Sequence, residues 1–312
     1  MKETIVIALG GNALQVKGEA PTIANQIKNI SIVVDEIIKL IEKDYNVIIT
    51  HGNGPQVGRI LLQQEIANSE ELPSSDLDIC VAMSQASIGV CIQQVLESKL
   101  KEKNIKKEVA TIVTEVVVSK DDQAFKNPTK PIGQYYTKEE AQNLEKTKGY
   151  VLKEDSGKGY RRVVGSPKPK QIKQLEIIKQ LSDAGNVVIC CGGGGVPVIY
   201  EDHKYQGIAG VIDKDSVSSL LACELDVDKL VILTAVSEVC INYNQEDEIR
   251  LHQVNTKYLS ENLNEFGKGS MLEKVEACIN FSEKTGKESI ITDLLNLNIS
   301  LTTKENGTII TK

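Results

Sequence analysis

Short apolar runs that end in glycine recur along the chain and predict buried strands followed by tight loops. The first run, Thr4–Leu9, leads into the glycine pair at 10–11. Two later runs, at 46–50 and 186–191, lead into the sequence HGNGP and into four consecutive glycines at 192–195. Glycine permits a close approach to the backbone, and backbone N–H groups in such loops often hold phosphate. The pattern predicts three loops that converge on one anionic ligand.

Amphipathic helical segments alternate with these runs. Apolar side chains at helical spacing predict a helix over 22–42, with one apolar face made of Ile27, Ile30, Val34, Ile37, Ile38 and Ile41. Further helices are predicted from about 56 and over 79–103, 169–184, 213–223 and 272–285. Further strands are predicted at 108–118, 196–200, 229–233, 248–251, 289–292 and 307–310. Alternation of strand and helix favours an α/β fold with a mostly parallel sheet and right-handed crossovers.

Composition and charge narrow the class of protein. With 312 residues the chain is long enough for two lobes, and its net charge of −7 argues against a nucleic-acid partner. No uninterrupted apolar run approaches the roughly 20 residues that span a bilayer. The first residues enter a predicted strand at once and leave no room for a signal peptide, so we expect a cytoplasmic protein without membrane partners. The seven cysteines include no Cys-x-x-Cys pair, so neither a disulfide framework nor a zinc site is predicted.

The segment 120–170 differs from the rest of this acidic chain. It contains twelve Lys or Arg residues against seven Asp or Glu residues, and several prolines. One interpretation is a solvated basic excursion, and the other is a lid that carries positive charge to an anionic substrate. Pro128 and Pro131 flank Lys130 and restrict its backbone, which favours the lid.

Lysines in unusual contexts are the candidate catalytic groups. Lys214 lies between Asp213 and Asp215 at a predicted strand-to-helix junction, and Lys274 lies in the first turn of a predicted helix. Phosphoryl transfer needs in-line positioning and positive charge more than covalent help from the protein. Neither a Walker loop nor a G-x-G-x-x-G fingerprint is present, and the three histidines form no catalytic triad or metal cluster by spacing. Of the three histidines, only His51 adjoins a glycine loop. Whether His51 contacts a ligand there remains open.

Small residues are interspersed along the predicted helix at 79–103. They permit another helix or a partner chain to approach closely. A core helix and a dimer interface therefore both remain open for this segment.

Six motifs together resemble those of carbamate kinases, within the amino-acid kinase superfamily. They are IALGGNAL, THGNGPQVG, FKNPTKPIG, GGGGVPV, VIDKD and GSMLEKVEAC, in this order from residue 5 to at least residue 281. One departure is Glu273, which stands where the family usually has proline. The resemblance implies a three-layer αβα sandwich around a mostly parallel open sheet. It also implies an acceptor lobe at 1–212 with a protruding subdomain at about 119–168, a nucleotide lobe at 213–312, and a homodimer.

The resemblance further implies reversible phosphoryl transfer between ATP and carbamate with Mg²⁺, giving ADP and carbamoyl phosphate. The reaction is expected to run toward ATP in arginine catabolism. By matching position, the residues that would hold carbamate and the transferring phosphoryl group are Gly10, Gly11, Asn12, Gly52, Asn53 and Gly54. Those implied in catalysis are Lys130, Lys214, Asp215 and Lys274. Those implied near the nucleotide are Lys214, Asp215, Thr234, Ala235, Tyr243, Met271 and Lys274.

Two other functions remain open at this point. Another amino-acid kinase, such as one acting on acetylglutamate, shares the glycine loops in looser form, although the NPTKPIG segment argues against it. A nucleotide-binding sensor that kept the fold without catalysis is the second, and the retained lysines argue against that. Assays of turnover with different acyl phosphates distinguish all three.

Overall fold

The computed structural model describes residues 2–11, 14–15, 18–154, 159–267 and 271–312. Its strands are β1 (Thr4–Leu9), β2 (Asn46–His51), β3 (Val109–Thr111), β4 (Glu115–Val117), β5 (Lys130–Tyr136), β6 (Leu152–Glu154), β7 (Tyr160–Val164), β8 (Gln171–Ile172), β9 (Val187–Ile189), β10 (Val196–Glu201), β11 (Lys204–Gly207), β12 (Lys229–Leu233), β13 (Val239–Ile241), β14 (Ile249–Leu251), β15 (Gln253–Asn255), β16 (Ser289–Thr292) and β17 (Thr308–Thr311). Its α-helices are α1 (Ile23–Glu42), α2 (Gly54–Ala67), α3 (Leu77–Glu102), α4 (Gln123–Lys126), α5 (Lys138–Lys148), α6 (Leu175–Asp183), α7 (Lys214–Glu224), α8 (Thr256–Glu261), α9 (Met271–Thr285) and α10 (Leu297–Thr302).

An eight-stranded sheet forms the middle layer, in the order β15-β17-β16-β12-β1-β2-β9-β3. Neighbouring strands are parallel except for β16 and β17. Successive side chains of β1 point to opposite faces: Ile5 and Ile7 join one buried cluster with α1 and α3, and Val6 and Ala8 join another with α7 and α9. Helices therefore cover both faces, which confirms the predicted αβα sandwich. The sheet contains strands from both sides of the predicted lobe boundary at 212/213, and that division stays a prediction.

Several predicted elements have the bounds expected from the hydrophobic pattern. The strands β1 and β12 match the predicted ranges residue for residue. Helix α1 begins after Thr22, whose hydroxyl accepts the Asn25 N–H at 3.2 Å and so satisfies one of the free donors of the first turn. The predicted apolar face of α1 is buried except for Ile27, which lies at its edge and is 37% exposed.

The single strand predicted at 108–118 is wrong. The chain forms β3, which belongs to the central sheet, and then β4, which belongs to a four-stranded sheet in the order β11-β10-β4-β8. Between them, the buried Gln85 side chain accepts the Thr114 N–H at 2.9 Å and donates to the Thr114 carbonyl at 3.0 Å. The Thr114 carbonyl also accepts the Val196 N–H of β10 at 2.8 Å, so the chain leaves the central sheet and joins the second sheet at this residue.

The helix predicted over 169–184 begins later than expected, at Leu175. The preceding residues form β8, and the N–H groups of Lys170 and Lys173 donate to the carbonyls of Val117 and Glu115 at 2.9 and 3.1 Å. Pairing with β4 therefore overrides the helical pattern in this segment.

The basic segment contains a small three-stranded sheet, β5-β7-β6, which packs with α5. We call the described residues within 119–168 the subdomain, and its predicted extent stays a prediction. The subdomain rests on α2, where Ile132 is buried with Val57 and Leu61. The two backbones touch: a Cβ on Gly58 would lie 2.1 Å from the Gly133 nitrogen. The subdomain is therefore packed against the helix that follows the second glycine loop and is not merely a solvated excursion.

Helix α3 is long and apolar enough to cross a membrane by length and composition, and it is the one such helix in the described part of the chain. Half of the most apolar 18-residue stretch of α3 is buried inside the protein. The helix packs against α1 and α2 among others. The inner face of α3 is therefore that of a core helix of a globular protein.

Candidate active site

The loops that follow β1, β2 and β9 meet at the carboxyl edge of the central sheet, as predicted. They bound a cavity of about 560 Å³, which we call the lysine cavity. Its lining comprises Gly10, Gly11, Gly52, Asn53, Gly54, Pro55, Thr129, Lys130, Pro131, Ser166, Gly193, Val211, Ile212, Asp213, Lys214, Asp215, Leu272, Glu273 and Lys274. Ligands of open α/β sheets bind at this edge, and the volume falls in the range of about 300–1,000 Å³ usual for small-molecule sites. Asn12 lies outside the described residues.

The four glycines at 192–195 serve mainly the packing of other segments. A Cβ would lie 2.5 Å from His51 Nε2 at Gly192, 2.1 Å from Asn53 Nδ2 at Gly193, and 2.4 Å from the Ile212 oxygen at Gly194. Only Gly193 lines the lysine cavity among the four. At the other three positions the close approach that glycine permits is made by protein atoms, which occupy the space that a side chain would need.

Asp215 joins two lysines at the floor of the lysine cavity. Its Oδ1 lies 2.6 Å from Lys214 Nζ, and its Oδ2 accepts a hydrogen bond from Lys274 Nζ at 2.8 Å. Helix α7 supplies Lys214 and Asp215 in its first turn, and α9 supplies Lys274 in its own. Lys214 Nζ is buried, and Asp215 is its ion-pair partner in the described part of the chain, so its charge is held at the base of the cavity by this carboxylate.

Burial and charge together set the protonation of this group. Burial is the largest influence and lowers the pKa of Lys214, while the charge of Asp215 raises it. Burial alone would raise the pKa of Asp215, but the two ammonium groups override it and hold that pKa well below the usual carboxyl range. For Lys274 burial lowers the pKa, yet Asp215 and more weakly Glu273 produce a net rise. The carboxylate of Glu273 thus favours the charged form of Lys274.

A third lysine reaches the cavity from the subdomain. Lys130 Nζ donates to Asp213 Oδ2 at 2.6 Å, across 83 positions of sequence. The other oxygen of Asp213 accepts the N–H groups of Asp215 and Ser216 at 2.9 and 3.1 Å and so caps α7. The structure therefore brings together all four residues predicted to be catalytic.

His51 lies behind the second glycine loop and does not line the lysine cavity. It is buried at the end of β2, with Nδ1 3.0 Å from the Gly52 carbonyl oxygen. Burial lowers the pKa of His51 to about 4, the Gly52 contact opposes this, and Lys214 adds to it. The imidazole is therefore neutral near pH 7 and supports the loop by contact.

A second cavity of about 390 Å³, the side cavity, lies further along the same edge. Its lining comprises Ala235, Val236, Ser237, Glu238, Cys240, Tyr243, Asn244, Glu248, Arg250 and Asp293, which include residues just after β12 and β16. Since β12 is the parallel neighbour of β1, the two cavities follow adjacent strand ends.

The residues predicted near the nucleotide divide between these cavities. Lys214, Asp215 and Lys274 line the lysine cavity, and Ala235 and Tyr243 line the side cavity. Thr234 donates its N–H to the Thr292 carbonyl at 2.9 Å, and Met271 packs on the apolar core. Neither is among the described residues that line the lysine cavity or the side cavity, and their roles stay predictions.

Sequence reasoning misses some functional residues. It recognises that an aspartate flanking Lys214 can cap the helix and orient lysine ammonium groups, but it does not name Asp213 as the partner of Lys130. The polar lining of the side cavity, such as Glu238, Arg250 and Asp293, is scattered over loops and carries no motif that could signal it.

Comparison with known proteins assigns this arrangement to a family. A sequence model of the amino acid kinase family matches residues 3–293. The chain belongs to the amino acid kinase family. It is 46% identical to the carbamate kinase of Clostridium perfringens over 315 residues, covering 99% of this chain and 99% of that one. It is 48% identical to carbamate kinase 2 of Staphylococcus epidermidis over 301 residues, covering 95% and 96%.

Solved structures of carbamate kinases are also similar to this chain. The carbamate kinase of Giardia lamblia bound to AMP-PNP superposes with a TM-score of 0.91 at 42% identity, covering 100% of this chain and 99% of that one. The predicted resemblance to carbamate kinases is thereby confirmed, and this member of the amino acid kinase family is a phosphotransferase.

Proposed function

We propose that this chain transfers a phosphoryl group reversibly between ATP and carbamate. The observation that carries the proposal is the pair of buried lysines on Asp215, which line one cavity together with the glycine loops that follow β1 and β2. Positive charge held in a buried site stabilises the charge that spreads over a transferring phosphoryl group. The AMP-PNP bound to the Giardia relative supports the nucleotide as donor.

The acceptor side of the lysine cavity suits a small anion. Helix α2 opens at the cavity with Gly54 and Pro55, so its N-terminal N–H groups and dipole favour negative charge there. Pro131 of the subdomain closes over this end, with its carbonyl oxygen 3.9 Å from where a Cβ on Gly54 would lie. Carbamate is already an anion, so it attacks phosphorus without a general base, and Asp213 and Asp215 of the lining are engaged with lysines.

The nucleotide would extend from one cavity to the other. Its phosphates would lie between Lys214 and Lys274, and its nucleoside would occupy the side cavity at the ends of β12 and β16. The volume of about 390 Å³ fits a group of that size.

Magnesium would enter with the nucleotide. In the described part of the chain no group of three or more His, Cys, Asp or Glu side chains could hold a metal ion. Both oxygens of Asp215 already contact lysines. This donor set fits Mg²⁺ bound mainly by phosphate oxygens, which is its usual mode in kinases. When bound, the ion neutralises phosphate charge.

We propose the cytoplasm as the location and ATP synthesis in arginine catabolism as the physiological direction. All seven cysteines are free thiols, which suits a reducing compartment. The direction rests on the family resemblance, and comparison of kcat/KM in the two directions tests it. A kcat/KM for carbamate and ATP far above that for carbamoyl phosphate and ADP would contradict it.

The deciding experiment is ATP formation from ADP and carbamoyl phosphate, with Mg²⁺ present. We expect ATP at rates well above a blank without protein, and much less with acetylglutamyl phosphate. ATP formed from the acetylglutamyl compound alone would assign the chain to another amino-acid kinase activity. Tight ATP binding without turnover on any acyl phosphate would indicate a sensor.

A homodimer is the second proposal. The outer face of α3 exposes Ile79, Met83 and Val90, which recur at helical spacing around the small residues Ala86 and Ser87. Exposed apolar patches of this kind mark protein interfaces.

Sedimentation velocity tests the homodimer and should give about twice the chain mass of 34.2 kDa. Met83→Lys should shift the protein toward the monomer. A monomeric wild type at micromolar concentration would contradict the proposal.

A further inference from the structure

The carboxylate of Asp213 has two separate tasks in the structure. Oδ1 caps α7 by accepting two N–H groups of its first turn. Oδ2 points away from the helix and accepts the Lys130 ammonium at 2.6 Å. A cap alone needs only the first oxygen. The second oxygen is therefore free to act on the subdomain.

Lys130 begins β5, the strand by which the subdomain lies on α2. Its Nζ brings the charge of the subdomain to Asp213, the residue that precedes Lys214 and Asp215 at the start of α7. Both partners are partly buried, with side chains 29% and 18% exposed, and both line the lysine cavity. The position of the Lys130 ammonium is consequently fixed by Asp213, the residue that caps α7.

We propose that Asp213 is a positioning residue that sets the place of Lys130 above the transferring phosphoryl group. This inference rests on the proposed function. Asp213 holds the Lys130 ammonium at the wall of the cavity before the phosphates enter. The ammonium then has only a short distance to move onto the phosphoryl oxygens. The same contact fixes the position of the subdomain relative to the acceptor.

The isosteric variant Asp213→Asn isolates the second task. Asparagine caps helices as well as aspartate does, so its oxygen can retain the two N–H contacts of α7. Its NH₂ group then faces the Lys130 ammonium, and donor meets donor. The cap is kept and the attraction becomes a repulsion. Asp213→Ser, which also caps but cannot reach Lys130, serves as the second variant if the first fails to fold.

A double-mutant cycle with Lys130→Ala provides the test, read as kcat and KM for ADP with carbamoyl phosphate. We expect Asp213→Asn to lower kcat about 10- to 100-fold, as displacements of about 1 Å do, with KM for ADP changed less than about threefold. In the Lys130→Ala background the same change should lower kcat less than about twofold, because Asp213 acts through Lys130.

Glu201→Gln is the matched control, since Glu201 pairs with the subdomain residue Lys120 outside the lysine cavity. It makes the same carboxylate-to-amide change and should leave kcat unaltered. An equal loss of kcat from Asp213→Asn in both backgrounds, or no loss in either, would overturn the inference.

Hydrogen exchange separates failure of this inference from failure of the proposed function. If the wild type does not turn over carbamoyl phosphate, the proposed function fails, and the contact is then judged by exchange alone. The amides of β5 should exchange faster in Asp213→Asn than in wild type or in Glu201→Gln. Unchanged exchange in β5 would show that Asp213 does not position the subdomain.

Discussion

Lys214→Ala should lower kcat for ATP formation by roughly 10²–10³-fold while the protein stays folded. Lys214 lines the lysine cavity and its buried ammonium group is paired with Asp215. Its charge therefore acts most strongly when negative charge spreads over the phosphoryl oxygens in the transition state. Asp215 retains Lys274 as a partner in the variant, so the floor keeps one of its two ion pairs.

The measurement for this variant is steady-state kinetics together with the thermal midpoint. Lys229→Ala is the control, because Lys229 also pairs with a carboxylate, that of Glu3, and lies outside both cavities. The control should keep wild-type kcat. A folded Lys214→Ala protein with kcat within about threefold of wild type would exclude the role assigned to Lys214.

Asp215→Asn should destabilise the protein by about 3–5 kcal/mol at pH 7, the usual cost of removing one partner from buried ion pairs. Asp215 is only 3% exposed, and the variant leaves the ammonium groups of Lys214 and Lys274 close together without their counter-charge. Turnover should fall as well, because both lysines lose the group that orients them.

Urea unfolding at several pH values tests this prediction. The pKa of Asp215 is depressed in the folded state. Its stabilising contribution is thus fully present above the unfolded carboxyl pKa of about 3.9 and declines as the pH falls from there toward the folded pKa. The variant should lack this decline.

Asp183→Asn is the control for Asp215→Asn, since Asp183 forms an exposed pair with Lys179 on α6. Such surface pairs contribute only about 0–1 kcal/mol. Equal stability of the two variants at pH 7 would contradict the argument for the buried group.

Local signals make most of the central sheet predictable. Strands such as β1 and β12 are continuous apolar runs, and α1 has both a cap at Thr22 and helical periodicity. The errors arise where a distant group decides the backbone partner. The Gln85 side chain accepts the Thr114 N–H between β3 and β4, and the residues of β8 pair with β4 instead of forming a helix. Neither contact has a signature in the local pattern.

The candidate site is predictable in its residue types but not in its pairings. Glycine loops and flanked lysines are visible in the sequence and indicate Gly52, Lys214 and Lys274. The contact of Lys130 with Asp213 joins residues 83 positions apart, and spacing alone cannot foresee it. The side cavity is indicated only at Ala235 and Tyr243, because its other walls come from separate loops.

The glycine run at 192–195 has a consequence for the entropy of ligand binding. These residues have no side-chain rotamers, and a Cβ at any of them would lie within 2.5 Å of a neighbouring protein atom. Gly193, the one of the four that lines the lysine cavity, therefore has no side-chain freedom to lose when a ligand binds. A free lysine side chain can lose up to about 2 kcal/mol of rotamer entropy on being ordered, but Asp213 and Asp215 already restrict the three lysines of the cavity. The entropic cost of ordering this part of the site is therefore met largely in folding and not in ligand binding.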